Sequence, residues 1–164
     1  YQERQAQCQE ALHDLQTVIA IQNLSELTAD VFEQVQEMIR RPVCLRRARH
    51  AVTENQRTIQ AVEALNKGDI REFGQLMNAS HLSLKEDFEV SCEELDILVE
   101  EAWEIEGVLG SRMMGAGFGG CTVSIVENSA VNDFISQVGT NYQKETGLKP
   151  DFYVVETGNG ATAL

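Results

Sequence analysis

Apolar residues in the first two-thirds of the chain recur every three or four positions, and in the last third the period shortens towards two. Cys8, Ala11, Leu12, Leu15 and Ile19 share one helical face, which predicts an amphipathic helix over residues 2–20. Thr28 is a plausible N-cap for a second, shorter helix running towards Ile39, and Pro42 should break it, because proline cannot donate the helical hydrogen bond. From Val43 a long third helix carries the stripe Leu45, Ala48, Val52, Ile59, Val62 and Leu65, with Gly68 as its C-cap. Asp69 then opens a fourth helix expected to bury Ile70, Phe73, Leu76 and Met77. Ser91-Cys92-Glu93-Glu94 has the capping-box pattern, and the helix it starts places Leu95, Leu98, Val99, Ala102 and Ile105 on one face before stopping at Gly107.

After Gly107 the reading changes. Val108–Met113 looks like a strand, and 121–126, CTVSIV, is a clearer one, alternating and β-branched. Val131, Phe134, Ile135, Val138 and Tyr142 mark a last helix ended by Gly147, and Pro150 precedes a final strand over Phe152–Val155. Trp103 and Tyr142 sit in helical stripes and read as core. No internal repeat, low-complexity tract or linker interrupts the pattern, so the chain reads as one compact α+β unit.

Composition narrows the class. A chain of 164 residues, 43% hydrophobic and 24% charged, is long enough for one domain with an ordinary core. Its net charge of −13 would repel nucleic-acid phosphates. No run approaches the ~18 apolar residues of a spanning helix, and no basic-then-apolar leader opens the sequence. Cys8, Cys44, Cys92 and Cys121 form no C-x-x-C pair, so they read as free thiols in a reducing cytoplasm.

The candidate chemistry lies in residues 107–126, GVLGSRMMGAGFGGCTVSIV, which hold six of the 12 glycines. Glycine tolerates positive φ and lets successive amides point at a ligand, which suits an anion such as phosphate. A hairpin turn needs one or two glycines, and this loop has four in six positions: Gly115, Gly117, Gly119 and Gly120. The G-x-G-x-x-G spacing is not a dinucleotide fingerprint, because a strand follows it where a helix should. The downstream signatures of protein kinases and the Walker lysine are absent.

Other clusters have plainer readings. Arg40, Arg41, Arg46, Arg47, Arg49 and His50 read as a helix face of solvated arginines, some paired with carboxylates. The acidic stretch from Glu86 to Glu106 reads as the wet face of the helix after Ser91, with no oxygen-ligand loop for a metal. His13, His50 and His81 have no nucleophile motif nearby and read as structural or exposed. No complete catalytic set is present.

The glycine segment resembles the third motif of the GHMP small-molecule kinases, and Gly110-Ser111-Arg112-Met113 beside it is similar to galactokinases in particular. YQERQAQC at the start, RRARHAVTEN (46–55), FGQLMNASHLSL (73–84), DFEVSCEELDILVE (87–100) and GNGA near the end resemble galactokinase segments in the same order. The resemblance implies a ferredoxin-like α/β sandwich with an antiparallel sheet and additional helices, spanning 1–164 as a GHMP kinase C-terminal domain. It implies that the N-terminal ATP-binding and catalytic domain, with the catalytic aspartate, lies upstream of Tyr1. The implied reaction is ATP-dependent phosphorylation of galactose, with Mg²⁺ and ATP bound mainly by that other half. Tyr1 matches the tyrosine that reaches the sugar, and Gly115, Gly117, Gly119 and Gly120 match the loop that closes the site. Met114 departs from the motif, which usually has threonine there. Related readings are a kinase for N-acetylgalactosamine, and a non-catalytic sugar sensor built on the same fold. A half-enzyme should also carry an apolar patch where its other half docks.

Overall fold

The computed structural model describes residues 1–156, 158 and 160. Helices α1 (Gln2–Leu15), α2 (Ala29–Val35), α3 (Pro42–Lys67), α4 (Ile70–Ser83) and α5 (Glu93–Trp103) precede an antiparallel pair, β1 (Val108–Met113) and β2 (Thr122–Val126), and α6 (Val131–Thr146) follows. This is the α+β order that the periodicity predicts. No helix among the described residues is long and apolar enough to cross a membrane.

The ends of the elements show local chemistry at work. α1 stops at Leu15, short of the expected residue 20, where Thr17 Oγ1 donates to the Asp14 carbonyl (2.7 Å) and the last turn tightens. Thr28 caps α2 as expected, its hydroxyl accepting the Val31 amide, and a 3₁₀ turn (Gln36–Met38) carries the chain on to buried Ile39. Pro42 does not terminate a helix. It opens α3 at a position whose missing N–H costs nothing. Gly68 takes φ +73° at the end of α3, and the Asp69 carboxylate caps α4. Ser91 is not the cap of α5: Cys92 occupies that place, and the Ser91 hydroxyl donates instead to Asp96 Oδ1 at 2.5 Å. α5 ends at Trp103, four residues before Gly107.

One core joins α1, α2 and the first half of α3, with Ala11, Leu15, Phe32, Cys44, Ala48 and Val52 buried. Beyond it α3 outruns its partners, so the expected stripe fails: Ile59, Val62 and Leu65 are each about half exposed, and Ile70 on α4 is exposed as well.

β1 pairs with β2 in the register Gly110↔Ile125, Ser111↔Ser124, Arg112↔Val123 and Met113↔Thr122. The opposite edge of β1 is covered by α4. A Cβ on Gly74 would overlap the Leu109 carbonyl, and one on Gly110 would overlap the Gly74 backbone, so two glycines allow helix and strand to meet main chain to main chain. The expected final strand at Phe152–Val155 does not form: the sheet among the described residues has two strands, and this segment pairs with neither. Phe152 is anchored edge-on against Phe134 (5.9 Å), while Tyr153, Val154 and Val155 are exposed. Of the GNGA stretch, Asn159 and Ala161 lie outside the described residues.

Candidate functional site

The loop from Met114 to Gly120 joins β1 to β2, and its backbone explains its composition. Gly117, Phe118, Gly119 and Gly120 follow one another at φ +80°, +60°, +119° and +106°, with Gly115 at +80°. Four consecutive left-handed residues are open to glycine and strained for anything else. Phe118 carries that strain, of about 1–2 kcal/mol, and leaves its ring half exposed.

Two anchors hold the loop. At its neck the Met114 amide donates to the Cys121 carbonyl (3.0 Å), and at its centre the Phe118 amide donates to the Val90 carbonyl (2.7 Å). Gly117 is there of necessity, since a Cβ would overlap that same Val90 oxygen. Around Gly115, Gly119 and Gly120, by contrast, nothing lies within 4 Å of where a Cβ would stand. The loop is pinned on one side and open on the other, which is the form an amide nest needs in order to meet an anion. Met114, in the place where threonine is usual, is half exposed beside it.

Next to the loop lies a cavity of about 300 Å³, lined by Phe118, Gly119, Gly120, Cys92, Glu94 and Tyr142 among others. The Glu94 carboxyl is held below its usual range by its own backbone amide and the Cys92 thiol, so this wall is negative. Burial pushes the Cys92 thiol up, so it is not poised as a nucleophile.

Tyr1 lies at the same end of the molecule. It caps α1, exposes its side chain and accepts the Gln5 amide through its carbonyl (3.1 Å). One turn on, Arg4 donates to the carbonyls of Phe88 (2.7 Å) and Glu89 (2.8 Å), and its guanidinium lies 6.0 Å from the Phe118 ring centre. The first turn of α1 thus reaches the loop through the Arg4 side chain.

The arginine cluster is only in part the solvated face expected: Arg40 and Arg41 are exposed and paired with carboxylates, whereas Arg47 and His50 are buried. Arg47 is almost fully buried and gives its guanidinium to Gln7 Oε1 (2.8 Å), the Asp87 carbonyl (2.5 Å) and Glu89 Oε2 (2.6 Å). Arg46 takes the other Glu89 oxygen (2.7 Å), and together they hold that carboxyl below its ordinary value. Arg40 grips Asp14, and Arg41 pairs with Glu10. The acidic stretch is likewise only partly a wet face, since Asp87, Glu89 and Asp96 are all engaged. This arrangement fixes the five-residue π-helical turn Leu84–Phe88 and the left-handed Glu89 (φ +54°), which deliver Val90 to the glycine loop. Sequence reasoning missed Arg4, Val90 and Arg47. A Y-x-x-R spacing and an arginine inside an otherwise apolar stripe were the signals available.

His50 and His81 are buried and His13 is exposed; His50 Nδ1 lies 2.8 Å from Ser83 Oγ, and both of those residues are buried. All four cysteines are free. Among the described residues no three His, Cys, Asp or Glu side chains gather where they could hold a metal ion.

A family model described as GHMP kinases C terminal matches residues 61–144. The chain is 53% identical over all of its 164 residues to the galactokinase of Clostridium acetobutylicum, 51% to that of Levilactobacillus brevis and 49% to that of Bacillus subtilis. In each case it spans 42% of the relative's length. The crystal structure of Lactococcus lactis galactokinase complexed with galactose superimposes over the whole chain with a TM-score of 0.94 at 46% identity, again covering 42% of that chain. Leishmania major mevalonate kinase in complex with R-mevalonate matches over 77% of this chain and 36% of its own, with a TM-score of 0.51 at 27% identity.

Proposed function

This chain belongs to the GHMP kinases as their C-terminal domain, and we propose that it is the C-terminal part of a galactokinase, working with an upstream half that carries the nucleotide site and the catalytic base. The observation that carries this reading is the agreement with a galactose-bound galactokinase over the full chain, at a TM-score of 0.94. In the reaction, the anomeric hydroxyl of galactose attacks the γ-phosphorus of ATP. The bond from that phosphorus to the β–γ bridging oxygen breaks, ADP leaves, and the hydroxyl proton passes to a base in the other half. Such a transfer depends on positioning and charge stabilisation rather than on covalent chemistry in the protein.

On this reading Gly115, Gly117, Gly119 and Gly120 close over the phosphates with backbone amides and exclude water. Tyr1, at the start of α1, offers its hydroxyl to the sugar. Magnesium would neutralise phosphate charge, and on this reading its ligands lie mainly in the upstream half. The exposed Tyr153, Val154 and Val155 and the half-exposed Ile59, Val62 and Leu65 are the surfaces best suited to contact that half. Four free thiols fit a cytoplasmic enzyme.

The test is ADP release by the full-length protein with galactose and with N-acetylgalactosamine, beside residues 1–164 alone. Galactose-dependent turnover by the full-length protein and none by 1–164 is expected. Activity in 1–164 would overturn the division of labour. Turnover on N-acetylgalactosamine alone, or sugar binding without turnover, would overturn the galactokinase reading.

A further inference from the structure

We infer that His81, backed by Asp96, is a positioning residue for the glycine loop, holding the last amide of β1 so that the loop leaves the sheet in its anion-accepting shape. This rests on the galactokinase reading only for what the loop does, not for how it is held.

The argument begins with the edge of β1. On the side facing β2, Gly110, Arg112 and Met114 stand opposite Ile125, Val123 and Cys121. The amides of Ser111 and Met113 face the other way, towards α4, where no strand can pair with them. Asn78 Oδ1 accepts the Ser111 amide at 2.8 Å, and His81 Nδ1 accepts the Met113 amide at 3.2 Å. Gly74, Asn78 and His81 lie four and three residues apart, on one face of α4. The helix thus offers a close-approach glycine and two side-chain acceptors in place of a neighbouring strand.

Of the two acceptors, only His81 acts at the loop. Met113 is fully buried and is the last residue of β1, one position before the neck bond from Met114 to Cys121. His81 is itself fully buried, with its ring edge-on to Trp103 at 5.8 Å. Because Nδ1 accepts, the ring's proton must sit on Nε2. Nε2 stands 3.3 Å from Asp96 Oδ1, outside hydrogen-bond geometry, so the carboxylate acts on the ring as a nearby negative charge. Asp96 is held in turn by the Ser91 hydroxyl (2.5 Å) and by Lys85 (3.2 Å), which also reaches Glu100. A carboxylate facing Nε2 selects the tautomer that leaves Nδ1 free to accept, a standard use of an outer partner to orient an imidazole. The neck and the centre of the loop are thereby set from different elements: α4 and α5 through His81, and the Arg47-braced turn through Val90.

Residue-resolved hydrogen–deuterium exchange and steady-state kinetics on the full-length protein test this with His81→Leu, His81→Asn and Asp96→Asn. Leucine removes the acceptor, whereas asparagine can return an oxygen to the place of Nδ1. In His81→Leu we expect faster exchange, by tenfold or more, at Met113 and also at Met114 and Phe118, which His81 does not touch. Amides of α1 and α3 such as Ala11 and Ala48 should be unchanged. KM for ATP should rise or kcat fall at least tenfold with KM for galactose within twofold, and His81→Asn should recover most of both effects. Acceleration confined to Met113, acceleration spread equally through α1 and α3, or an asparagine variant no better than leucine would overturn the proposal. If the leucine variant does not fold, Asp96→Asn decides: exchange at Met113, Met114 and Phe118 must still rise, and wild-type exchange there refutes the role. If the full-length protein lacks galactose turnover, the galactokinase reading fails while the exchange results still judge His81.

Discussion

His50 lies on α3 with its ring stacked 4.5 Å from Phe88 at 24°, its Nδ1 2.8 Å from Ser83 Oγ, and almost none of its surface in water. Burial pushes its pKa from 6.5 down to about 4, with Glu54 and Asp87 pulling the other way and Arg57 and Arg112 adding to the fall. The unfolded chain titrates this imidazole near 6.5, so between pH 6.5 and 4 the unfolded state binds more protons than the folded one. Stability from this group is therefore complete above about pH 6.5 and is lost as the pH falls towards 4. At pH 5 the loss is about 2 kcal/mol, approaching about 3 kcal/mol below pH 4.

His81, also pushed down by burial, acts in the same direction. Asp14, Glu89 and Glu94 have lowered pKa values, so their contributions are lost only as acid passes below the ordinary carboxylate range. The window from pH 7 to 5 thus isolates the two buried imidazoles. Trp103 is the chain's only tryptophan and reports unfolding of residues 1–164 in urea. With a slope of about 2 kcal/mol per molar, the midpoint should fall by about 1 M or more between pH 7 and pH 5. His50→Gln should start lower at pH 7 and lose clearly less over the same range. Equal midpoints at the two pH values, or the same pH slope in His50→Gln, would refute the reasoning.

Two substitutions probe the loop and its brace. Gly117→Ala places a methyl on the Val90 carbonyl oxygen and should lower kcat of the full-length protein about tenfold or more, while Gly115→Ala, with open space around it, should cost only the strain of its positive φ, about 1–2 kcal/mol; equal effects on turnover would deny the Val90 anchor its role. Arg47→Met leaves the Asp87 carbonyl and Gln7 Oε1 without their donor while Glu89 keeps Arg46, and should cost about 2 kcal/mol, seen as a fall in melting temperature of about 4–8 °C; an unchanged melting temperature would show that the buried guanidinium is replaceable by packing alone.

The elements were legible where one local cause decided them. Thr28, Gly68, Asp69 and Gly147 each end or begin a helix through their own side chain or φ, and β1 and β2 follow from alternation and the glycines between them. The failures came where a distant residue or a missing neighbour decided. Ile59, Val62 and Leu65 have the spacing of a buried stripe, but spacing cannot say whether anything lies opposite. Phe152–Val155 has the composition of a strand, but composition cannot say whether a neighbouring edge takes it up, and it pairs with neither β1 nor β2. Ser91 satisfies a capping pattern locally, yet Asp96, five residues on, takes its hydroxyl. At the site, the loop was visible because its backbone demands glycine. Its supports were not, because Arg47 and His81 act across 40 and 32 residues of sequence, and their residue types equally suit a wet surface.

Charge decides what this chain can bring to a phosphate. All nine arginines lie within 3.6 Å of a carboxylate, and those of the 40–49 cluster are spent bracing α1 and the turn before Val90. Arg4 and Arg112 come near the loop, Arg4 engaged by two carbonyls beside Phe118 and Arg112 by the Met113 carbonyl and Glu54. With a net charge of −13 and its arginines engaged, the chain has few cations to offer, and on the proposed function the loop's backbone dipoles would supply the contact to an anion. Amides held in place cost little reorganisation when charge builds on a transferring phosphoryl group, but they cannot neutralise a nucleotide's full charge. On the proposed function, the balance of positive charge would be supplied by the upstream half and by magnesium.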